Sequence, residues 1–178
     1  LQSIAIISSE TAAGYQDFKK HLEENDLSYR FSTKLFQASM QGDQAAVSIQ
    51  SAIKAIEESK LNFDVVVLIR GGGSSIDLSC FDDYPLAARL AQCIYPIFTG
   101  IGHERDISIA DKVAHTNLKT PTAVADYILS HNQKFEEELE NMMGNIYTLL
   151  ANYIDEHKNQ LYTLSKSLSF NAQDKMHE

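Results

Sequence analysis

The sequence is short of basic charge. Its 15 Lys and Arg residues are outnumbered by 24 Asp and Glu residues, which gives a formal net charge of −9 and an isoelectric point near 5.1. Domains that bind nucleic acid on their own are usually basic, so this balance argues against a freestanding nucleic-acid-binding module. No apolar run approaches the length of about 20 residues that a membrane-spanning helix needs.

Cysteine is equally scarce. Cys80 and Cys93 are the only two, and their spacing matches no metal-ligand motif. We therefore expect buried free thiols in a reducing compartment, and a cytoplasmic location. The chain opens directly on the strand-like segment 4–7 and not on a signal peptide. A start so close to the first core strand predicts an excised fragment that lacks its natural N-terminal neighbour.

Apolar runs and amphipathic stretches alternate along the chain as far as residue 98. Strands are predicted at 4–8, 29–36, 65–69 and 94–98, and helices at 14–25, 42–60 and 82–92. This order is typical of a parallel sheet with crossover helices. Continuously apolar strands indicate burial on both faces. We predict an α/β fold whose open, mostly parallel sheet is flanked by helices.

The composition changes after Thr120, which suits the cap of a helix with Pro121 at its first position. Apolar residues then recur at heptad spacing: Phe135, Leu139, Met142, Ile146, Leu149 and Tyr153. A helix continuing to about residue 168 would be about 70 Å long, which exceeds the width of a small domain. We therefore divide the chain into an α/β domain at 1–120 and a long helical extension at 121–178, a coiled coil or subunit-binding region.

Two glycine-rich segments follow predicted strands. Segment 70–77 reads Arg-Gly-Gly-Gly-Ser-Ser-Ile-Asp, and segment 100–111 reads Gly-Ile-Gly-His-Glu-Arg-Asp-Ile-Ser-Ile-Ala-Asp. Open α/β folds bind ligands at the carboxyl edge of the sheet, where such segments lie. Consecutive glycines bring the backbone close to a ligand and leave N–H groups for an anion. The planar guanidinium of Arg70 suits a phosphate, although the segment has neither Walker nor dinucleotide spacing.

Three further side chains suit proton transfer or metal binding. His103 and Asp106 share a face if a helical turn begins there, and a histidine near a carboxylate suits acid–base chemistry or half of a metal site. Asp17 lies in the first predicted helix, for which Ser9 or Thr11 is the expected cap. Taken singly, each also has a plain structural interpretation, either as a surface pair or as a first-turn carboxylate.

Taken together, four segments resemble the large-subunit family of exodeoxyribonuclease VII. The family's Ile-Thr-Ser-Pro-Thr-Gly-Ala-Ala-x-x-Asp segment corresponds to residues 7–17, and its Arg-Gly-Gly-Gly-Ser-x-x-Asp-Leu segment to residues 70–78. Its Gly-His-Glu-x-Asp-x-x-Ile-Ala-Asp segment corresponds to residues 102–111, and its Thr-Pro-Ser/Thr-Ala-x-Ala-Glu segment to residues 120–126.

Four of the departures from the family pattern bear on the site. Glu10 and Ala12 stand where Pro and Gly are usual, which predicts a different shape for the first loop. His115 and Asn117 stand where Asp and Arg are common. If the family's arginine contacts a phosphate or the substrate, Asn117 weakens that contact.

The resemblance implies a nuclease that degrades single-stranded DNA from both ends to short oligonucleotides. It also implies a complex with several copies of a small helical subunit, recruited by the helical region at 121–178, with residues 1–120 as the catalytic domain. An N-terminal OB-fold is expected in the family and is not in this sequence. Most strand binding would lie in that OB-fold, which reconciles the acidic charge with a nuclease. Residues 121–168 are also expected to self-associate.

The resemblance assigns catalysis to Asp17, Arg70, His103 and Asp106. Eight more residues are expected to contact the substrate or its phosphates: Ser9, Thr11, Gly71, Gly72, Gly73, Ser74, Asp77 and Arg105. In one scheme Arg70 and the glycine amides stabilise phosphate charge, His103 is the general acid or base, and Asp106 or Asp17 orients it. In the other, Asp17 and Asp106 hold Mg²⁺ with His103 as base. The resemblance favours the first scheme, with no required cofactor.

Two other functions stay open on the motifs alone. One is a doubly wound domain that binds a phosphorylated small molecule through segment 70–77. The other is a non-enzymatic assembly module that acts through the helix at 121–168.

Overall fold

The computed structural model describes residues 1–71, 78–102 and 107–174, with side chains described as far as residue 169. Two compact units divide the chain, Leu1–Asn132 and Gln133–Glu178. The strands are β1 Ser3–Ser8, β2 Ser32–Gln37, β3 Val65–Ile69, β4 Ile97–Gly100 and β5 Thr116–Asn117. The helices are α1 Ala13–Glu23, α2 Ala45–Glu58, α3 Tyr84–Ala91, α4 Ile109–Val113 and α5 Pro121–Asp174, with a 3₁₀ helix at Ser79–Asp82.

The five strands form one sheet in the order β2-β1-β3-β4-β5, and every pairing is parallel. This confirms the predicted α/β fold. β1 and β3 lie side by side, with Ile6 opposite Val67, and their apolar residues are fully buried because helices cover both faces. The strand order reverses between these two strands, and in open α/β sheets such a point is where ligands bind.

Two apolar layers pack on the sheet, one on each face, because successive strand residues point to opposite sides. Ala5, Ile7, Val66 and Leu68 face α2 and α3. Ile4, Ile6, Val65 and Val67 face the other way, towards α1 and the first turns of α5. From α5 the second layer receives Val124, Ala125, Ile128 and Leu129. The sheet unit therefore includes the start of α5.

Two predicted strands begin later than the sequence pattern indicated. The segment predicted from residue 29 becomes regular only at Ser32, because the Asn25 side chain bonds both the N–H and the carbonyl of Tyr29 and holds a turn. The strand predicted at 94–98 is Ile97–Gly100 instead. Its ladder with β3 continues to Gly100, whereas Ile94 is 71% exposed.

Helix α5 is the predicted long helix and is longer than expected, at 54 residues. The hydroxyl of Thr120 accepts a hydrogen bond from the Ala123 N–H at 3.1 Å, which confirms the predicted cap. Within the second unit, one stripe of α5 is apolar and exposed; we call it the apolar seam: Phe135, Leu139, Met142, Ile146, Leu149 and Tyr153. Among the described residues, no helix is both long and apolar enough to cross a membrane.

Candidate active site

A cleft of about 400 Å³ lies at the carboxyl edge of the sheet. It is formed by the loops that follow β1, β2 and β3, so it includes the point where the strand order reverses. Its described lining residues are Ser9, Thr11, Ala12, Ala13, Ser39, Met40, Gln41, Arg70 and Gly71. Of these nine described residues, Arg70 carries the one charged side chain.

Four of the predicted site residues meet in this cleft: Ser9, Thr11, Arg70 and Gly71. They come from two sequence segments more than fifty positions apart, which the neighbouring strands β1 and β3 bring together. The hydroxyls of Ser9 and Thr11 lie 3.2 Å apart. Neither caps α1, whose N-cap is Ala12 and receives no side-chain hydrogen bond, so that prediction is wrong.

The loop after β1 is a tight turn in which the Ala12 N–H donates to the Ser9 carbonyl at 3.0 Å. The Gln16 side-chain amide donates to the Glu10 carbonyl at 3.0 Å and holds the other side of the turn. A turn of this kind needs no proline at residue 10, so the departure from the family pattern does not prevent a compact loop.

Close backbone packing fixes Arg70 at the cleft. A Cβ on Gly14 would lie 2.6 Å from the Arg70 carbonyl oxygen, 2.8 Å from Pro121 Cγ and 2.9 Å from Gly71 Cα. The Arg70 N–H donates to the Gly100 carbonyl at 3.3 Å. Only a residue without a side chain allows α1 to approach the end of β3 so closely. Segments 7–17, 70–78 and 120–126 therefore meet at one place.

Seven predicted site residues lie outside the described residues: Gly72, Gly73, Ser74, Asp77, His103, Arg105 and Asp106. The described residues that flank them are at the carboxyl ends of β3 and β4, which are neighbours in the sheet. Gly102, which precedes the second segment, has a φ of +94°, a conformation that glycine adopts without strain.

A hydrogen-bonded cluster fixes the chain directly after residues 103–106. Asp111 accepts from the buried Thr99 hydroxyl at 2.6 Å and from the Ser108 hydroxyl at 2.8 Å, and Ser108 in turn caps α4. Asp82 accepts from the Ile109 N–H at 2.7 Å and joins α4 to the 3₁₀ helix. The sequence pattern alone assigns no role to Asp111. The structure shows that it ties α4 to β4.

Asp17 is exposed on α1 and is not among the described residues that line the cleft. It lies one turn beyond Ala13 on the same helix face. In the part of the chain that the structure describes, no three His, Cys, Asp or Glu side chains form a group that could hold a metal ion. The magnesium scheme depends on His103 and Asp106, which lie outside the described residues.

Two described groups with shifted pKa values lie away from the cleft. The backbone N–H groups of Gln2 and Ser3 donate to the Asp64 carboxylate at 2.6 and 2.9 Å, and they lower the pKa of that group. Burial raises the pKa of the Cys93 thiol. Neither Cys80 nor Cys93 forms a disulfide, as expected, but both are half-buried and not fully buried as the sequence predicted.

Sequence reasoning missed the third wall of the cleft. Ser39, Met40 and Gln41 follow β2, and they carry no glycine run or charged side chain to mark them. The pairing of the strands could have identified this wall. A strand that pairs with β1 in parallel must end at the same edge of the sheet, so its following loop belongs to the same site.

The comparison with known proteins agrees with the resemblance. A family model described as "Exonuclease VII, large subunit" matches residues 1–178. The chain belongs to the exonuclease VII large subunit family. It is 35% identical over 169 residues to a protein of Nostoc sp. (strain PCC 7120) named "Exodeoxyribonuclease 7 large subunit", covering 94% of this chain and 40% of that protein.

Two further exonuclease VII large subunits have similar identity. The Campylobacter jejuni subsp. jejuni serotype O:6 protein is 33% identical over 175 residues, covering 98% of this chain and 44% of that protein. The Thermotoga maritima protein is 33% identical over 163 residues, covering 92% of this chain and 40% of that protein. The chain thus spans less than half the length of the exonuclease VII large subunits that it matches.

Proposed function

We propose that this chain is the catalytic part of an exonuclease VII large subunit and hydrolyses phosphodiester bonds of single-stranded DNA to short oligonucleotides. The observation that supports this is the meeting of Arg70 and Gly71 with Ser9 and Thr11 in one cleft at the β1/β3 edge. A cleft whose one charged side chain among the described lining residues is an arginine suits an anionic ligand. The relatives are named exodeoxyribonucleases.

The proposed reaction is attack of water on the scissile phosphorus, with cleavage of the bond to the leaving oxygen. The Arg70 guanidinium and the backbone N–H of Gly71 hold the non-bridging oxygens and stabilise the charge that develops on them. His103 takes the proton of the attacking water or supplies one to the leaving oxygen. Asp106 or Asp17 orients the imidazole and stabilises its charged form.

Whether the proposed reaction needs a metal ion can be tested directly. Asp17 and Asp106 are the candidates to hold Mg²⁺ in the second scheme, with His103 as base. Carboxylate oxygens are suitable ligands for that ion. Activity that persists in excess EDTA supports the scheme without metal. Activity that is lost in EDTA and restored by Mg²⁺ supports the other.

Further proposals concern the partners and the division of the chain. Single-stranded DNA is the proposed substrate, and several copies of a small helical subunit are the proposed partners of the apolar seam. We also propose self-association through residues 121–168 and a cytoplasmic location. The proposal includes the division into an α/β catalytic domain at 1–120 and a helical extension at 121–178 whose first turns cover one face of the sheet, with most strand binding outside the chain.

The two alternative functions are less favoured. A phosphorylated small molecule would suit the cleft as well, but membership of the exonuclease VII large subunit family favours a nucleic acid. A purely structural role for α5 does not account for the cleft at the carboxyl edge of the sheet, where Ser9, Arg70 and Gly71 meet.

Degradation of a 5′-labelled single strand by the intact large subunit with its small subunit tests the proposal. His103→Ala and Arg70→Ala are expected to lower the rate by roughly 10²–10³, the usual loss when a group that stabilises developing charge is removed. Arg30→Ala is the matched control, since that arginine is exposed and outside the cleft. Circular dichroism confirms folding. A variant that keeps more than half the wild-type rate removes that residue from the mechanism.

A further inference from the structure

The cleft is larger than a phosphate group. Its volume is about 400 Å³, whereas a phosphate occupies the space of roughly three or four waters, about 100 Å³ at ~30 Å³ each. The remaining space lies within reach of the loop after β2. Two strand spacings, roughly 10 Å, separate that loop from the Arg70 loop, because β1 lies between β2 and β3. A ligand that contacts both loops must extend beyond one phosphate.

The two sides of the cleft differ in chemistry. The β3 side has the Arg70 guanidinium and the Gly71 backbone, which suit phosphate oxygens. The β2 side has the Ser39 hydroxyl, the Gln41 amide and the thioether of Met40. These groups are uncharged. An amide and a hydroxyl can donate to and accept from a base edge or a sugar hydroxyl.

The β2 side is held in place by its own hydrogen bonds. The Ala38 N–H donates to the Ser8 carbonyl at 2.9 Å, and the Ser39 N–H donates to the Ser48 hydroxyl at 3.0 Å. The Ser39 hydroxyl donates to the Gln41 carbonyl at 3.0 Å. Met40 is 6% exposed and anchors the loop in the core. The loop is therefore ordered before a ligand binds, and little conformational entropy is lost on binding.

The turn that follows presents Gln41 at the edge of the cleft. Gly42 has a φ of +79°, which turns the chain sharply, and no atom lies within 4 Å of the Cβ it lacks. The glycine is therefore required for its conformation and not for close packing. Gln41 itself is exposed, although its loop is fixed.

We infer that Ser39–Gln41 is the nucleoside-binding wall of the cleft, and that Gln41 and Ser39 contact the nucleoside adjoining the phosphate held by Arg70. This inference rests on the proposed function, because it names the part of a single strand that fills the rest of the cleft. Gln41 is a positioning residue for the substrate and takes no part in proton transfer.

Kinetics of the intact large subunit with its small subunit provide the first test. Gln41→Ala is expected to raise KM for a single-stranded oligonucleotide about tenfold, equivalent to about 1.4 kcal/mol, and to leave kcat within twofold. Gln44→Ala is the matched control, because Gln44 is exposed three residues away, outside the cleft, and makes no capping hydrogen bond. Equal KM values for the two variants, with wild-type hydrolysis intact, would overturn the inference and leave the proposed function standing.

A binding experiment on the 178-residue chain tests the nucleoside-binding wall separately from the proposed function. Thymidine 5′-monophosphate is titrated into isotope-labelled protein, and inorganic phosphate is titrated into a second sample. We expect the nucleotide to shift the NMR signals of Ser39, Gln41 and Gly42, and phosphate to shift those of Ala13 and Gly71 only. Identical shifts for both ligands, or none at residues 39–41, would overturn the inference. Nucleotide-specific shifts, together with an intact large subunit and small subunit that do not hydrolyse single strands, would support the inference and refute the proposed nuclease.

Discussion

Gly14→Ala is the substitution that tests the packing of the cleft most directly. The added Cβ would lie 2.6 Å from the Arg70 carbonyl oxygen, 2.8 Å from Pro121 Cγ and 2.9 Å from Gly71 Cα. Carbon atoms in good contact are about 3.5–4.0 Å apart, so α1 and the end of β3 must separate by roughly 1 Å. Two of the three contacts are with backbone atoms, which cannot turn aside as a flexible side chain can.

The expected cost follows from two opposing effects. Overpacking a well-packed site typically costs about 1–3 kcal/mol. Replacing glycine by alanine in a helix recovers up to about 1 kcal/mol, and less here because Gly14 is near the start of α1. We expect a net loss of about 1–2 kcal/mol, which lowers Tm by roughly 2–8 °C in a protein of this size. The proposed nuclease activity is expected to fall too, because Arg70 and Gly71 move relative to Ser9.

Gly144→Ala is the control for this substitution. The same methyl group is added, but no atom lies within 4 Å of the new Cβ and the residue is exposed on α5. This variant is expected to gain helical content and up to about 1 kcal/mol of helix stability. Circular dichroism during urea unfolding measures the stability of both variants. If Gly14→Ala unfolds at the same urea concentration as the wild type, the close approach of α1 and β3 does not require glycine at this position.

Three further predictions follow from described contacts. Because backbone donors lower the pKa of Asp64, the stability advantage of wild type over Asp64→Asn is present at pH 7 and disappears as pH falls below the ordinary value of 3.8, measured by urea unfolding at several pH values. Because burial raises the pKa of Cys93, iodoacetamide at pH 8 alkylates this thiol more slowly in the folded than in the urea-unfolded chain, measured by mass spectrometry. Ile146→Asp with Leu149→Asp is expected to abolish co-purification of the proposed small subunit, because both side chains are exposed on the apolar seam, and to leave the sheet unit folded; normal stoichiometry would place recruitment elsewhere.

The central strands could be predicted because their sequences admit one interpretation. β1 and β3 are continuous apolar runs, buried on both faces, and their bounds agree with the prediction to within one residue. β4 was misplaced because the apolar run that predicted it begins at Ile94 and ends at Phe98, whereas Thr99 and Gly100 join the strand through pairing with β3. α4 and β5 have five and two residues, too few for a periodic pattern to identify.

The candidate site could likewise be predicted only in part. A glycine run beside an arginine marks a ligand site locally, and the sequence therefore pointed to Arg70 and Gly71. Gln41 has no local mark, and its position at the cleft depends on β2 pairing with β1. Asp111 was missed because its partner, the Thr99 hydroxyl, is 12 residues away in the sequence and comes within hydrogen-bond distance only in the folded chain.

The burial of the first turns of α5 determines where the chain can be cut. Val124, Ile128 and Leu129 are each 9% exposed or less and cover one face of the sheet. Each such side chain contributes about 1.5–3 kcal/mol when fully buried, so removing all three costs much of the 5–15 kcal/mol that stabilises a typical domain. A truncated protein that stops at residue 120 would express as an unstable species with an exposed sheet face, whereas one that ends after Asn132 keeps its core intact. For crystallisation or screening, the helix must therefore be shortened from its far end only.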